Sequence, residues 1–150
     1  MLQGTGSGVG KSLLAAGLCR WLADRDFLVR PFKAQNMALN SGVTPDGKEI
    51  GRAQLLQAEA CRVVPDVRMN PVLLKPQGPG VSQLVRMGEA IRVCSAQEYY
   101  TLAEENFRIV QEAFASLKTE GDWIIIEGAG SPAEINLQAT DIVNMRMAEH

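Results

Sequence analysis

The sequence is poor in the side chains that most often carry catalysis and metal binding. It has one histidine, His150, at the end of its 150 residues. A Ser-His or Cys-His catalytic pair and a His-based zinc site are therefore not expected within this chain. The three cysteines, Cys19, Cys61 and Cys94, are odd in number and widely separated. This spacing argues against a disulfide framework and favours the reduced thiols of a cytoplasmic protein.

Clustered charge and long apolar runs are also lacking. The chain has 15 Lys and Arg against 17 Asp and Glu, a formal net charge of −2, and no block of like charge. A basic face for nucleic acid or for a membrane surface is therefore not expected. No stretch approaches the roughly 18 apolar residues that span a bilayer, and the N-terminus does not have the pattern of a secretory signal. With 46% hydrophobic residues, the composition predicts one globular domain with a real core.

An alternation of helical and extended patterns is present instead. Apolar spacing predicts helices at 11–24, at 51–62, between Ser95 and Gly121, and from Asp141. The first of these carries Leu14, Leu18, Trp21 and Leu22 at helical spacing. Short apolar runs predict strands at 27–33, 71–76, 82–88 and 123–127, and a polar loop is expected after the first strand. The run WIIIE at 123–127 is typical of a strand buried on both faces of a parallel sheet.

This alternation predicts an α/β fold, a three-layer sandwich with a mostly parallel sheet. The first strand has almost no residues before Gly4, and the chain stops at MAEH, where the alternation calls for another strand. We therefore expect residues 1–150 to be part of a domain. An open sheet edge and apolar face would then favour a homo-oligomer.

The most informative motif is GTGSGVGKS at 4–12, where four glycines precede Lys11 and Ser12. It is one residue longer than the phosphate-loop pattern G-x-x-x-x-G-K-[ST], and it indicates that the α/β fold is of the phosphate-loop NTPase type. Backbone N–H groups in such a loop, together with the start of the following helix, bind phosphate. The expected ATP-binding residues are Thr5, Gly6, Ser7, Gly8, Val9, Gly10, Lys11 and Ser12. Lys11 should reach the β- and γ-phosphates and the Ser12 hydroxyl should bind Mg²⁺; the alternative is a helix-entry loop without a ligand.

Two acids are candidates to complete the Mg²⁺ site. Glu127 ends the most apolar strand, so its carboxylate should emerge beside the phosphate loop at the carboxyl edge of the sheet, where α/β sheets bind ligands. Glu49 precedes the second helix, where an acid also suits the helix dipole. Both functional and structural explanations therefore remain open for Glu49.

Longer strings of the sequence resemble one family. Together, GTGSGVGKS, QNMALNSGVTPDGKEIGRAQ, NPVLLKP and EGAGSPAEINL resemble the N-terminal ATP-binding domain of the cobyric acid synthases, from Gln3 onward. The phosphate loop and EGAG alone would also fit the wider group that includes dethiobiotin synthetase and cobyrinic acid a,c-diamide synthase. The resemblance implies an ATP-dependent amide ligase. In the reaction that it implies, ATP would activate corrin side-chain carboxylates of adenosylcobyrinic acid a,c-diamide as acyl phosphates, and ammonia would displace phosphate to give adenosylcobyric acid.

The resemblance also implies residue roles. Lys11 and Ser12 match the phosphate-loop lysine and the Mg²⁺-binding hydroxyl, and Lys33 matches a lysine that lies near the γ-phosphate and substrate in dethiobiotin synthetase. Glu49 and Glu127 match the two metal-binding acids of that enzyme. Lys11, Lys33 and Glu127 are thus the expected catalytic residues. The residues expected to face the corrinoid are Asn36, Asn40 and Ser41, with Ser131 and Asn136 in the loop 131–136, although Asn and Ser also form caps and turns.

Two further implications concern partners and alternatives. The resemblance implies that glutamine supplies ammonia in a separate C-terminal glutaminase-like domain. No cysteine here has a histidine partner, so an ammonia source outside this chain is expected. Partitioning-type ATPase switches share this fold but carry a signature lysine five residues before the phosphate-loop lysine, where this chain has Gly6. Such a switch and another carboxylate-activating synthase, such as a,c-diamide synthase, are the alternative functions.

Overall fold

The computed structural model describes residues 1–133 and 141–150. Its α-helices are α1 (Lys11–Ala23), α2 (Arg52–Ala60), α3 (Ala96–Thr101), α4 (Ala103–Lys118) and α5 (Met145–Glu149), with a 3₁₀ turn at Val67–Met69. Its strands are β1 (Val29–Phe32), β2 (Gln35–Met37), β3 (Ser41–Val43), β4 (Glu49–Gly51), β5 (Val72–Gly78), β6 (Val81–Arg86), β7 (Glu89–Ser95) and β8 (Trp123–Ile126). None of the helices in these two ranges is long and apolar enough to cross a membrane.

A parallel pair of strands positions the glycine loop. β1 and β8 run parallel, with Phe32 opposite Ile126 at their carboxyl ends. Leu2 bridges to Glu127 in the same direction, so the chain enters the glycine loop beside the end of β8. Because parallel strands end at one edge, the residues that follow Phe32 and Ile126 meet there.

The prediction of a mostly parallel sheet is wrong for the remaining strands, which pair mainly antiparallel. β5, β6 and β7 form an antiparallel meander, and β2 pairs with β5 in parallel. β3 and β4 form a separate antiparallel pair, so together with β1 and β8 there are three sheets in the described residues. The physical reason lies in the turns. Only two residues connect β5 to β6 and β6 to β7, and a two-residue turn can join only antiparallel strands. Met87 and Gly88 have φ of 47° and 79°, as a type I′ hairpin requires. The α/β class itself is confirmed, and β2, β3 and β4 lie in the segment predicted to be a loop.

Burial in two elements also differs from the sequence pattern. α1 packs against α2 and β1 through its small residues and Leu22, whereas Leu14, Leu18 and Trp21 are exposed. β8 is not buried on both faces, because Trp123 is half exposed and the three isoleucines are only partly covered.

The helix predicted between Ser95 and Gly121 is divided at Leu102 into α3 and α4. Its predicted start is confirmed: Ser95 and Glu98 form a capping box in which the Ser95 hydroxyl accepts the N–H of Glu98. The buried face of α4 packs into the main core together with Phe32, which makes an edge-to-face contact with Phe114 at 5.2 Å between ring centroids. This packing fixes the end of β1, and with it the position of the residues at the sheet edge.

Candidate functional site

The glycine loop leads into α1 without a side-chain cap. Gly8 and Gly10 have φ of 72° and 96°, which glycine adopts without the strain of a Cβ. Gly10 is the N-cap of α1; within the described residues no side chain caps the helix, and its first turn has no acidic residue. The first backbone N–H groups of this 13-residue helix therefore remain available to a ligand. Such a terminus fits a phosphate group.

Lys11 lies at the base of the loop and is 8% exposed. Its Nζ donates hydrogen bonds to the carbonyl oxygens of Gly6 at 2.6 Å and Gly130 at 2.9 Å. These contacts connect the start of α1 to the turn that follows β8. They fix a cation between the two chain segments that enclose the loop.

Glu127 is the centre of the site. It follows β8 directly and is 1% exposed. Its Oε1 accepts the Ser12 hydroxyl and the Nζ of Lys33, both at 2.7 Å. Lys33 follows β1 directly, so the parallel register of β1 and β8 is what brings this buried ion pair together. The second oxygen, Oε2, accepts Nε2 of Gln57 in α2 at 2.6 Å. All three donors hold the carboxylate at the edge of the sheet.

These groups open into a cavity of about 890 Å³, which is large enough for a nucleotide and part of a second ligand. Its wall includes the following residues predicted for the site: Ser7, Gly8, Gly10, Lys11, Ser12, Lys33, Asn36, Glu127 and Ser131. Its far wall is largely apolar, with Leu74, Val81, Tyr99 and Tyr100 among its members. Burial raises the pKa of Tyr99, and its hydroxyl donates to Gln35 at 2.6 Å.

Within the described ranges, other predicted residues are not part of the cavity wall: Thr5, Gly6, Val9, Asn40, Ser41 and Glu49. Asn136 lies outside the described residues. Glu49 instead accepts hydrogen bonds from Ser41 and from Lys75 of β5. Although burial alone would raise it, these donors hold the pKa of Glu49 below its usual value. The structure thus brings Ser12 and Glu127 together and pairs Glu49 with a different cation.

The oxygen donors beside the glycine loop can be compared with those that hard cations take in proteins. No cluster of three or more Asp, Glu, Cys or His side chains suited to a metal occurs in residues 1–133 and 141–150. The Ser12 hydroxyl and the Glu127 carboxylate are, however, adjacent oxygen donors beside the phosphate loop. Mg²⁺ in proteins takes one or two carboxylates and fills its remaining positions with phosphate oxygens and water. The residues therefore fit Mg²⁺ carried by a phosphate ligand.

The sequence analysis missed two residues of this network, Gln54 and Gln57. Both are in α2 and are completely buried. The sequence did contain a sign of them: two glutamines three residues apart in a helix lie on the same face, here next to the buried Ala58. A buried pair of amides requires polar partners, and Glu127 is one of them.

Comparisons with known proteins identify the family of the chain. Residues 1–129 match the family model described as the CobQ/CobB/MinD/ParA nucleotide binding domain. Among curated proteins, the chain is 56% identical to the cobyric acid synthase of Salmonella arizonae over 149 residues and 55% identical to that of Desulforudis audaxviator over 148 residues. It is 54% identical to the cobyric acid synthase of Yersinia enterocolitica over 149 residues.

Each alignment covers 99% of this chain but only 29% or 30% of the relative, so the chain spans under a third of their length. The resemblance to the cobyric acid synthases that the sequence motifs indicated is confirmed over the whole chain. With the glycine loop at the start of α1 and 129 residues matched, the chain belongs to the CobQ/CobB/MinD/ParA nucleotide-binding domain family.

Proposed function

We propose that this chain is the ATP-using part of a glutamine-dependent amide ligase that converts adenosylcobyrinic acid a,c-diamide to adenosylcobyric acid. The observation that carries the proposal is the cavity in which an uncapped helix N-terminus, two buried lysines and a buried carboxylate are adjacent. The names of relatives at 54–56% identity support the choice of corrin carboxylates as substrate.

The nucleotide and Mg²⁺ would be held by the loop and the adjacent oxygens. The N–H groups of residues 5–12 and the N-terminus of α1 would bind the phosphates, with Lys11 adding a buried positive charge. Ser12 and Glu127 would provide the protein's oxygen ligands to Mg²⁺. Bound ATP with Mg²⁺ would supply the phosphoryl group that makes a carboxylate susceptible to attack by ammonia.

The protein's own part in this reaction is to position charge. Lys33 lines the cavity, and its ammonium is fixed 2.7 Å from Glu127 Oε1. A fixed cation orients an incoming carboxylate and stabilises negative charge on a transferring phosphoryl group without reorganisation. The apolar wall, with Leu74 and Tyr100, suits the large hydrophobic face of a corrin ring. The cavity also excludes bulk water from part of the ligand, which limits hydrolysis of an activated carboxylate.

Ammonia has to come from outside this chain. Cys19, Cys61 and Cys94 are free but buried, and none is paired with a histidine in the described residues. The Cys19 thiol is hydrogen-bonded to Cys61 and buried, and both effects raise its pKa, so it is a poor nucleophile. A glutaminase domain elsewhere in the protein is therefore part of this proposal.

The test is an amidation assay on the full protein with ATP, Mg²⁺, ammonium and cobyrinic acid a,c-diamide. We expect one ADP per amide formed and ATP turnover that depends on the corrinoid. Lys11→Ala should abolish both, while Gln77→Ala, an exposed position in β5 outside the cavity wall, should keep both and serves as the matched control. ATP hydrolysis that proceeds equally without corrinoid would favour the alternative, a nucleotide switch of the partitioning type.

A further inference from the structure

A chain of buried side-chain amides runs from Glu127 to the cavity wall. Gln57 Nε2 donates to Glu127 Oε2 at 2.6 Å, and Gln54 Nε2 donates to Gln57 Oε1 at 3.5 Å. Asn36 Nδ2 donates in turn to Gln54 Oε1 at 3.3 Å. Gln54 and Gln57 are 0% exposed, and only Asn36 among the three amides reaches the cavity. We call Gln57, Gln54 and Asn36 the amide relay.

The donor-to-acceptor direction of the hydrogen bonds in the amide relay is determined at its Glu127 end. The NH₂ group of Gln57 faces two groups that can only accept, the lysine-paired carboxylate of Glu127 and the carbonyl of Ser12 at 3.3 Å. An amide in that position must turn its nitrogen toward both and its oxygen away. The oxygen of Gln57 then requires the NH₂ of Gln54, and the oxygen of Gln54 requires the NH₂ of Asn36. Each orientation follows from the one before it.

The surrounding backbone leaves little room for the relay to rearrange. Gly51, the N-cap of α2, packs directly over it, and a Cβ at this position would lie 2.5 Å from Asn36 Nδ2 and 2.7 Å from Gln54 Oε1. The Gly51 N–H is itself bonded to Asn70 Oδ1 at 3.2 Å. The relay is thus clamped between this backbone and the end of β8.

The consequence appears at Asn36. Its nitrogen lies beneath Gly51 and donates one N–H to Gln54, and no hydrogen bond to its Oδ1 is made by any residue that the structure describes. We propose that the amide relay fixes Asn36 with its carbonyl oxygen toward the cavity, so that Asn36 selects a hydrogen-bond donor on the ligand, a carboxamide N–H rather than a carboxylate oxygen. Gln54 and Gln57 are then positioning residues that set the polarity of a specificity contact.

This proposal rests on the proposed function, because it places the preformed amides of a corrin a,c-diamide against Asn36. A carboxylate in the same place would put two acceptors together without a proton between them, and that contact is repulsive. A binding site built for a donor rejects the analogue that lacks it. The amide relay therefore predicts discrimination between the a,c-diamide and the corresponding acid.

The test uses two probes, cobyrinic acid a,c-diamide and cobyrinic acid, titrated into the full protein with a non-hydrolysable ATP analogue. We expect the wild type to bind the diamide about tenfold more tightly, as one hydrogen bond between otherwise similar ligands gives. Gln54→Met keeps the side-chain length but removes both polar atoms. It should reduce this ratio to near one, while affinity for the ATP analogue stays within about twofold, because Gln54 contacts neither Glu127 nor the cavity.

Gln54→Glu provides the rescue. The protonated carboxyl group of this variant can donate to Gln57 and accept from Asn36, as the glutamine amide does, and burial raises the pKa of a carboxyl group. The diamide preference should therefore be retained near pH 6 and lost toward pH 9, a dependence that a merely structural role would not produce. If Gln54→Met does not fold, the pH dependence of the diamide preference in Gln54→Glu tests the proposal by itself.

The outcomes separate the two proposals. Wild-type protein that binds neither the ATP analogue nor either corrinoid would overturn the proposed function and the relay with it. Wild-type protein that binds both, with a diamide-to-acid ratio unchanged in Gln54→Met or independent of pH in Gln54→Glu, would overturn the relay alone.

Discussion

The buried ion pair between Lys33 and Glu127 gives the sharpest quantitative prediction. The two side chains are 8% and 1% exposed, and their charged atoms are 2.7 Å apart. Removing one partner of such a pair leaves an uncompensated buried charge and typically costs roughly 3–5 kcal/mol in free energy of unfolding. Glu127→Gln should reach this range, because the Lys33 ammonium has no other acceptor among the described residues. For a domain of this size the loss corresponds to about 6–20 °C in Tm.

Lys33→Met should cost less, about 2 kcal/mol, because Ser12 and Gln57 still donate to the carboxylate. The double variant Lys33→Met/Glu127→Gln removes both charges and should cost less than Glu127→Gln alone. The coupling free energy from this cycle should be about 2 kcal/mol or more. Urea unfolding followed by circular dichroism measures all four proteins, and Lys48→Met, at an exposed ion pair, is the control with a small effect.

ATP affinity is a second property to measure in the same variants, and the two single substitutions should change it in opposite directions. Without Mg²⁺, Glu127→Gln removes a negative charge beside the phosphate loop and should tighten ATP binding, whereas Lys33→Met should weaken it. With Mg²⁺, Glu127→Gln should lose most of the metal-dependent gain in affinity. A double variant as unstable as the sum of the singles, or equal responses of ATP affinity in both singles, would refute the reasoning.

Three other outcomes are expected. In a full protein that contains a glutaminase domain, Lys11→Ala should abolish amidation and leave glutamine hydrolysis measurable, because Lys11 lies at the phosphate loop; loss of both in a folded variant contradicts this. Glu49→Gln should destabilise the protein at pH 7, because Lys75 and Ser41 hold the pKa of folded Glu49 below its usual value of 4.5. This stabilisation is full above pH 4.5 and is lost as the pH falls through the lower pKa of the folded state, so the difference from wild type should shrink there; a pH-independent difference contradicts this. Light scattering should report a dimer or larger species of residues 1–150, because Leu18 and Trp21 lie in an exposed apolar patch on α1; Leu18→Glu should shift it toward monomer, and a monomeric wild type contradicts this.

Much of the site could be predicted because its parts are local in sequence. The glycine loop, Lys11 and Ser12 are consecutive, and the helix that follows them is marked by its own periodicity. Glu127 could be placed at the carboxyl edge because a continuous apolar run, typical of a strand, directly precedes it. Roles assigned through the resemblance, such as that of Asn40, stay predictions, since the structure does not bring this residue to the cavity wall.

Other features depended on contacts between distant segments. Leu14, Leu18 and Trp21 have helical spacing, but which face of α1 is covered depends on where α2 and β1 pack, and those elements cover the small residues instead. The antiparallel meander was not predicted because strand direction depends on turn length and pairing partners. In addition, the side chains of β7 are mostly exposed, so it has no buried face to mark it as a strand.

By itself, the sequence determined the α/β class, the phosphate loop and the start of α3, because each depends on residues within a few positions of one another. Only the tertiary structure decided the partners of Glu127. Lys33 and Gln57 are 94 and 70 residues away along the chain, and they meet it through the register of β1 with β8 and the packing of α2. Hydrogen bonds and ion pairs act over a few ångströms, so only the fold determines which distant donors come within range of a buried carboxylate.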